Sequence, residues 1–180
     1  DSINIKGSEF DLIHLKRRAS SNVNHMIAYC ADNRLVSEEK IDGKVPELHG
    51  RLADDQGEFV YHCYVSSDVL NEAARPERTG FDITTQFGEL FSESEISWED
   101  IRAAVRDRAA EHLADYLGNV RERARERVQK FVSTVAPRYR PIISRIPEAE
   151  LNIDPEISDK DLDITLHRHL ADIESKLLRD

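Results

Sequence analysis

Apolar residues recur at about every second position in the first half of this chain and at every third or fourth in the second half, with the change near Ser97. Phe10, Leu12, Ile13 and Leu15 predict a strand that ends in the basic run Lys16-Arg17-Arg18. His25-Met26-Ile27-Ala28-Tyr29-Cys30-Ala31 is a continuous apolar run, the pattern of a strand buried on both faces. Asp32-Asn33-Arg34 signals a turn, with a short segment Leu35-Val36 after it. Residues 37–57 are polar, carry Gly43, Pro46, Gly50 and Gly57, and predict turns and loop. Phe59, Tyr61, Cys63 and Val65 alternate with Val60, His62 and Tyr64, the strongest strand signal in the chain. Phe81 to Phe87 predicts a further strand or an extended connection.

From Ser97 the period becomes helical. Ser97 and Asp100 have capping-box spacing, with Asp in the place of the usual Glu or Gln. Ile101, Val105, Ala109, Leu113, Tyr116, Leu117, Val120, Ala124, Val128, Phe131, Val132 and Val135 then recur at threes and fours until Pro137. They predict one helix of roughly 35 residues, about 50 Å long, with Gly118 as the place where it would kink or divide. Tyr139 to Ile146 is a short apolar segment with prolines at both ends. Ser158 and Asp161 repeat the capping signature ahead of a second amphipathic helix through Leu162, Leu166, Leu170, Ile173 and Leu177. Strands followed by helices make an α+β chain. The expected organisation is a small mixed sheet with packed helices over residues 1–95, and a helical extension with one long helix over 96–180.

Charge narrows the functional classes. The 180 residues carry a formal net charge of -10, which opposes non-specific binding to nucleic acid or to an anionic membrane. No apolar run approaches the ~20 residues of a membrane span, and the mixed, polar start does not resemble a signal peptide. Cys30 and Cys63 fall on separate predicted strands and read as reduced core thiols, which suits a cytoplasmic protein. Met26 is the sole methionine and the chain begins at Asp1, so the sequence reads as a piece of a longer protein.

Most site chemistries lack their residues. Cys30, Cys63, His62 and His25 have no metal-ligand spacing, and His62 and Cys63, adjacent on a strand, point to opposite faces. A nucleophilic Cys30 would sit in the most apolar run of the chain, where a thiolate is disfavoured. Neither GxxxxGK[ST] nor GxGxxG is present, so no phosphate cradle is read and no cofactor is assigned to this chain. What remains is Arg75-Pro76-Glu77-Arg78-Thr79-Gly80. Pro76 fixes φ and Gly80 permits close backbone approach on either side of Arg78. A guanidinium so presented matches phosphate oxygens in a bidentate fork. The plainer reading is a surface loop whose arginines pair with Glu72 or Glu77.

Two stretches resemble the second, transducer domain of GHKL-type ATPases, the group that includes the ninety-kilodalton heat-shock chaperones, gyrase B subunits, MutL and the MORC proteins. Ile27 to Val36 is similar to the strand and Asn-Gly-Arg-x-Val segment of MutL-like transducers, with Asp32-Asn33-Arg34 in place of Asn-Gly-Arg. Val65-Ser66-Ser67-Asp68-Val69-Leu70 looks like the post-strand segment of the heat-shock chaperone middle domain. Arg75 to Ile83 is similar to the MutL loop in which a Pro is followed two residues later by a Lys that reaches the γ-phosphate; Arg78 stands at that position. The likeness covers roughly residues 5–95. After Leu35-Val36, MutL-like domains place a helix, and residues 37–57 are too rich in Gly and Pro to match it well. The ATP-binding domain, with its Glu general base and Asp-x-Gly-x-Gly box, has no counterpart here.

The resemblance implies a ribosomal-protein-five domain-2-like transducer fold and a non-catalytic part of a chaperone-like ATPase. ATP and Mg would be bound by an N-terminal ATP-binding domain of the same protein, and homodimerisation would run through the parent protein. Arg78 is the implied γ-phosphate contact, Arg75 the second candidate, and Arg34 a brace for the loop or strand end. The alternative is a stand-alone interaction or dimerisation module using the long amphipathic helix. A small-molecule enzyme is the third reading, and it lacks a convergent catalytic set.

Overall fold

A computed structural model describes residues 1–18, 24–86 and 95–178. Among these, six strands form one mixed sheet: β1 (Ser2–Ile5), β2 (Ser8–Arg17), β3 (Met26–Ala31), β4 (Arg34–Lys40), β5 (Leu52–Asp54) and β6 (Gly57–Ser66). Their order is β1-β2-β6-β3-β4, with β5 paired to the start of β6. β3 runs parallel to β6 and the other pairs are antiparallel. The helices are α1 (Asp68–Ala73), α2 (Trp98–His112), α3 (Ala114–Thr134), α4 (Arg140–Ile143) and α5 (Asp159–Leu177). The α+β class and the mixed sheet are therefore as the pattern predicts. Residues 37–57 are not all loop: β4 continues to Lys40 and β5 follows at Leu52. Among the described residues Phe81 makes an isolated bridge with Ala74, and Phe87 lies outside them.

The chain forms two compact units, Asp1–Ala114 and Asp115–Asp180. This differs from the expected division at 95/96 because α2 packs on β1 and belongs with the sheet. The single long helix also divides. Leu113, at φ -95° and ψ 4°, turns the chain out of the helical ladder between α2 and α3. Gly118 stays inside α3. Most of each half of the apolar stripe is buried in its own unit: Ile101, Val105 and Ala109 in the first, Leu117, Val120, Ala124, Val128, Phe131 and Val132 in the second, with Val135 exposed at the end.

In the first unit, alternation sorts the sheet into two faces. Leu12, His14, Tyr61, Cys63, Val65, Ile27 and Tyr29 share one of them through the β2–β6 and β6–β3 registers. α2 covers this face, with Trp98 against Tyr29 (ring centroids 4.8 Å) and His112 stacked on His14 (4.0 Å). The Ser97–Asp100 capping box forms at its start, and Lys6 donates to the Asp100 carboxylate at 2.6 Å. The turn-rich segment 41–51 buries Ile41, Val45 and Leu48 completely. It hangs on His25, which is itself fully buried. The Ile41 N–H donates to the His25 carbonyl, and the Asp42 carboxylate accepts from the His25 N–H. The imidazole Nδ1 accepts from the Tyr61 N–H at 2.9 Å, and Nε2–H donates to the Gly50 carbonyl at 2.6 Å. Those partners select one neutral tautomer.

In the second unit, Val128, Phe131, Val132, Tyr139, Ile142, Leu162 and Leu166 form the core. Pro137 ends the α3 pattern and opens a 3-10 turn, Pro137–Tyr139, that leads into α4. The Tyr139 hydroxyl donates to Asp163 Oδ1 at 2.9 Å. Ser158 caps α5 through its hydroxyl, which accepts from the Asp161 N–H. No helix among the described residues is long and apolar enough to cross a membrane.

The histidines set a pH limit on the first unit. Burial lowers the pKa of His25, and the Gly50 carbonyl and the Asp42 charge only partly oppose it. Burial is also the main cause of the lowered values at His14, His62 and His112. Each folded-state value lies below the unfolded value of about 6.5, so the unfolded chain binds more protons as pH falls past it. Stability is expected to be full above about pH 7 and to decline from about pH 6.5 downward, well before the carboxylates titrate. Equal urea midpoints at pH 7.5 and pH 5.5 would contradict this.

Candidate functional site

The arginine loop follows α1 and is closed on itself. Ser67 caps α1, its hydroxyl accepting from the Leu70 N–H at 3.0 Å. After Ala73, the Arg75 N–H donates to the Gly80 carbonyl at 3.0 Å and the Arg78 N–H to the Arg75 carbonyl at 2.8 Å. Arg75 Nε donates to Asp82 Oδ1 at 2.7 Å across the base of the loop. Arg78 sits at its turn with φ +55°, a left-handed conformation that a side-chain-bearing residue adopts only at a cost of about 1 kcal/mol.

The Arg78 side chain turns toward the β3–β4 hairpin. Nη1 donates to the Ala31 carbonyl at 3.0 Å and Nη2 to Asp32 Oδ2 at 3.2 Å. Asp32 and Asn33, with φ 47° and 59°, form the hairpin turn, and the Asp32 N–H donates to Asn71 Oδ1 of α1 at 2.8 Å. The two stretches that carry the resemblance thus meet at one point. Arg78 is about one-third exposed there, and two of its five N–H donors are engaged by these bonds. Arg75 stands apart from this contact and is tied to Asp82. The arginines pair with Asp32 and Asp82 rather than with Glu72 or Glu77. Arg34 begins β4 as an exposed residue, and the brace anticipated for it is made by Arg78.

Beside the loop lies a second polar cluster that sequence reading missed. Glu39 of β4 is buried and accepts from Arg102 Nε at 3.0 Å, from Lys44 Nζ at 3.3 Å and from Arg106 Nη2. Burial alone would raise its pKa, but the hydrogen bonds and charges of Arg106 and Lys44 outweigh it and hold Glu39 ionised below its ordinary value. Arg102 also lies over the Trp98 ring, 5.4 Å from its centroid. Glu39, Arg102 and Trp98 line a cleft of about 250 Å³ with Tyr29, Ser37, Glu38, Phe81 and, from the arginine loop, Arg75 and Gly80. The available signal was Arg102 and Arg106 at i, i+4, flanking the buried positions Ile101 and Val105 on α2.

The other candidates do not converge. Cys63 is buried and its thiol is pushed up to about 11, chiefly by desolvation; Cys30 is half-buried and shifted the same way. Neither is poised as a nucleophile. His25 spends both ring nitrogens on the backbone.

Two stability effects follow. At φ +55° glycine carries no Cβ penalty, so Arg78→Gly is expected to be more stable than Arg78→Ala by about 1 kcal/mol in chemical denaturation; equal stabilities would show that the loop relaxes. Glu39→Gln removes the carboxylate from three cations. A cost of about 2–3 kcal/mol is expected, below the usual range for a buried pair because the arginines keep solvent access. A loss under about 0.5 kcal/mol would place this cluster with ordinary surface pairs.

No family model, curated protein or solved structure matches the chain.

Proposed function

We propose that this chain is the non-catalytic transducer part of a GHKL-type, heat-shock-chaperone-like ATPase. In this reading Arg78 is lent to the γ-phosphate of ATP bound with Mg on another domain of the same protein. The reading rests on the resemblance of two separate stretches, and the observation that carries it is the contact between them. A partly exposed guanidinium in a left-handed loop residue is held against Ala31 and Asp32 with donors to spare. Strained backbone of this kind clusters where geometry serves function.

Asp32 supplies the mechanism. It is a resident carboxylate on the same guanidinium that an incoming phosphate would seek. A phosphate offers more charge and three oxygens, so it competes effectively for the fork. Moving Arg78 from Asp32 to phosphate would pull on a closed loop. That loop continues into Phe81, whose ring packs edge-on against Trp98 at 5.5 Å, and Trp98 is the first residue of α2. Nucleotide state would reach α2 through this packed contact. Where MutL-like domains place a helix after the Asn-Gly-Arg segment, this chain runs on as β4, so the likeness is to the loop and turn more than to the full topology. The alternative, an interaction or dimerisation module, draws on the length of the apolar stripe; most of that stripe is buried in α2 and α3, with Val135 at its end exposed.

In the full-length protein, Arg78→Ala is expected to lower ATP turnover at least tenfold while nucleotide affinity changes little, the signature of lost charge stabilisation. Arg78→Lys keeps a cation and is expected to retain more turnover than Arg78→Ala. Arg75→Ala should act weakly. Unchanged turnover in both alanine variants would overturn the assignment.

A further inference from the structure

We propose that the cleft between β3, β4, the arginine loop and α2 binds a small organic carboxylate with a planar body. This goes beyond the transducer reading and does not rest on it. The argument begins with Tyr29. It is 2% exposed and lines the cleft, yet its hydroxyl has no hydrogen-bond partner among the described residues. Leaving a buried hydroxyl unpaired costs about 1–3 kcal/mol. Arg106 Nε, in the Glu39 cluster but outside the cleft lining, is another buried donor without a partner among the described residues. The Tyr29 hydroxyl is the one at the cleft, and an acceptor there would satisfy it.

The walls define what would bring it. Glu39 is already shared by Arg102, Arg106 and Lys44, so it has little capacity left for a cationic ligand. Arg75 uses Nε on Asp82, and its Nη1 lies near Gly80, 3.9 Å from where a Cβ there would stand. Arg102 uses Nε on Glu39 and Nη1 on Glu99. Glu38 also borders the cleft, but it pairs with Ala28 while Ser37 pairs with Tyr29, so alternation sets its side chain on the other face of the sheet. The guanidinium donors of Arg75 and Arg102 and the neutral hydroxyl then form a set that suits a carboxylate. Trp98 and Phe81, set edge to face, add an apolar wall that suits a flat ring or chain. About 250 Å³ admits a ligand of benzoate size, short of a nucleotide. The carboxylate could belong to a free small molecule or to the C-terminus of a peptide; the chemistry recognised is the same.

Trp98 is the single tryptophan of the chain and lines the cleft, so its emission reports binding directly. Benzoate and N-acetyl-phenylalanine, as the free and peptide-like probes, would be titrated against sodium chloride of equal ionic strength. Saturable changes with either carboxylate and not with chloride are expected, and the tighter probe identifies the source. Tyr29→Phe removes only the unpaired hydroxyl. Without probe it should unfold at the same or higher denaturant concentration than the parent, while benzoate affinity falls about tenfold. Arg75→Gln, on an exposed loop, should weaken binding severalfold and guards against a folding defect in the first variant. Arg78→Ala should leave the titration unchanged, which separates this site from the proposed phosphate contact. No saturable change, equal affinity in Tyr29→Phe, or loss of binding in Arg78→Ala overturns the proposal.

Discussion

The first unit depends on a two-residue turn. Asp32 and Asn33 both take left-handed φ values, the geometry that lets β3 and β4 fold back with the natural twist of a sheet. Asn and Asp tolerate it better than other side-chain-bearing residues, but it still has a cost. That cost is offset from two directions. Asn71 of α1 accepts from the Asp32 N–H, and Arg78 holds the Ala31 carbonyl and the Asp32 carboxylate. A hairpin, a helix and a loop are therefore fixed by one residue, and displacing any one of them disturbs the other two.

Polar groups tie the first unit together in a way that apolar burial alone would not. His25 joins the start of β3, the 41–51 segment and β6 through backbone hydrogen bonds that require its neutral form. Glu39 joins β4 to α2 through two arginines. Each is a directional link in a low-dielectric setting, where a satisfied group is strong and an unsatisfied one costly. The second unit is built differently. Its interior is aliphatic and aromatic, and its ion pairs lie at the rim, Arg123 with Glu156 and Arg127 with Asp159. Rim pairs of this kind contribute little to stability.

This contrast bears on the transducer reading. A relay needs an element with two arrangements and a contact that both states bias. The arginine loop has short internal hydrogen bonds, an exposed ion pair at its base and one guanidinium shared with a neighbouring turn. Arg75, Pro76, Glu77 and Thr79 in it are exposed. Phe81 beside it is buried and set edge-on against Trp98. A movement of the loop would therefore be transmitted by packing, and the closely packed sheet behind it would supply the fixed frame.

The sequence alone determined the elements whose signal is local. Alternation marked β6, the continuous apolar run marked β3, serine caps marked the starts of α2 and α5, and Arg78 stood out between a proline and a glycine. Each depends on side chains a few positions apart, which periodicity and capping chemistry report directly. What was hidden is non-local. β4 reads as polar because its Ser-Glu-Glu-Lys run includes Glu39, whose burial depends on arginines that follow more than 60 positions later. The stop at Leu113 interrupts a stripe that looks continuous, because which unit buries each apolar position is not written in the period. The partner of Arg78 is Asp32, 46 positions earlier, and not the nearer Glu77 or Glu72. Tertiary structure decided these points because ion pairs, buried donors and clefts are made by chain segments that meet only after the sheet has formed.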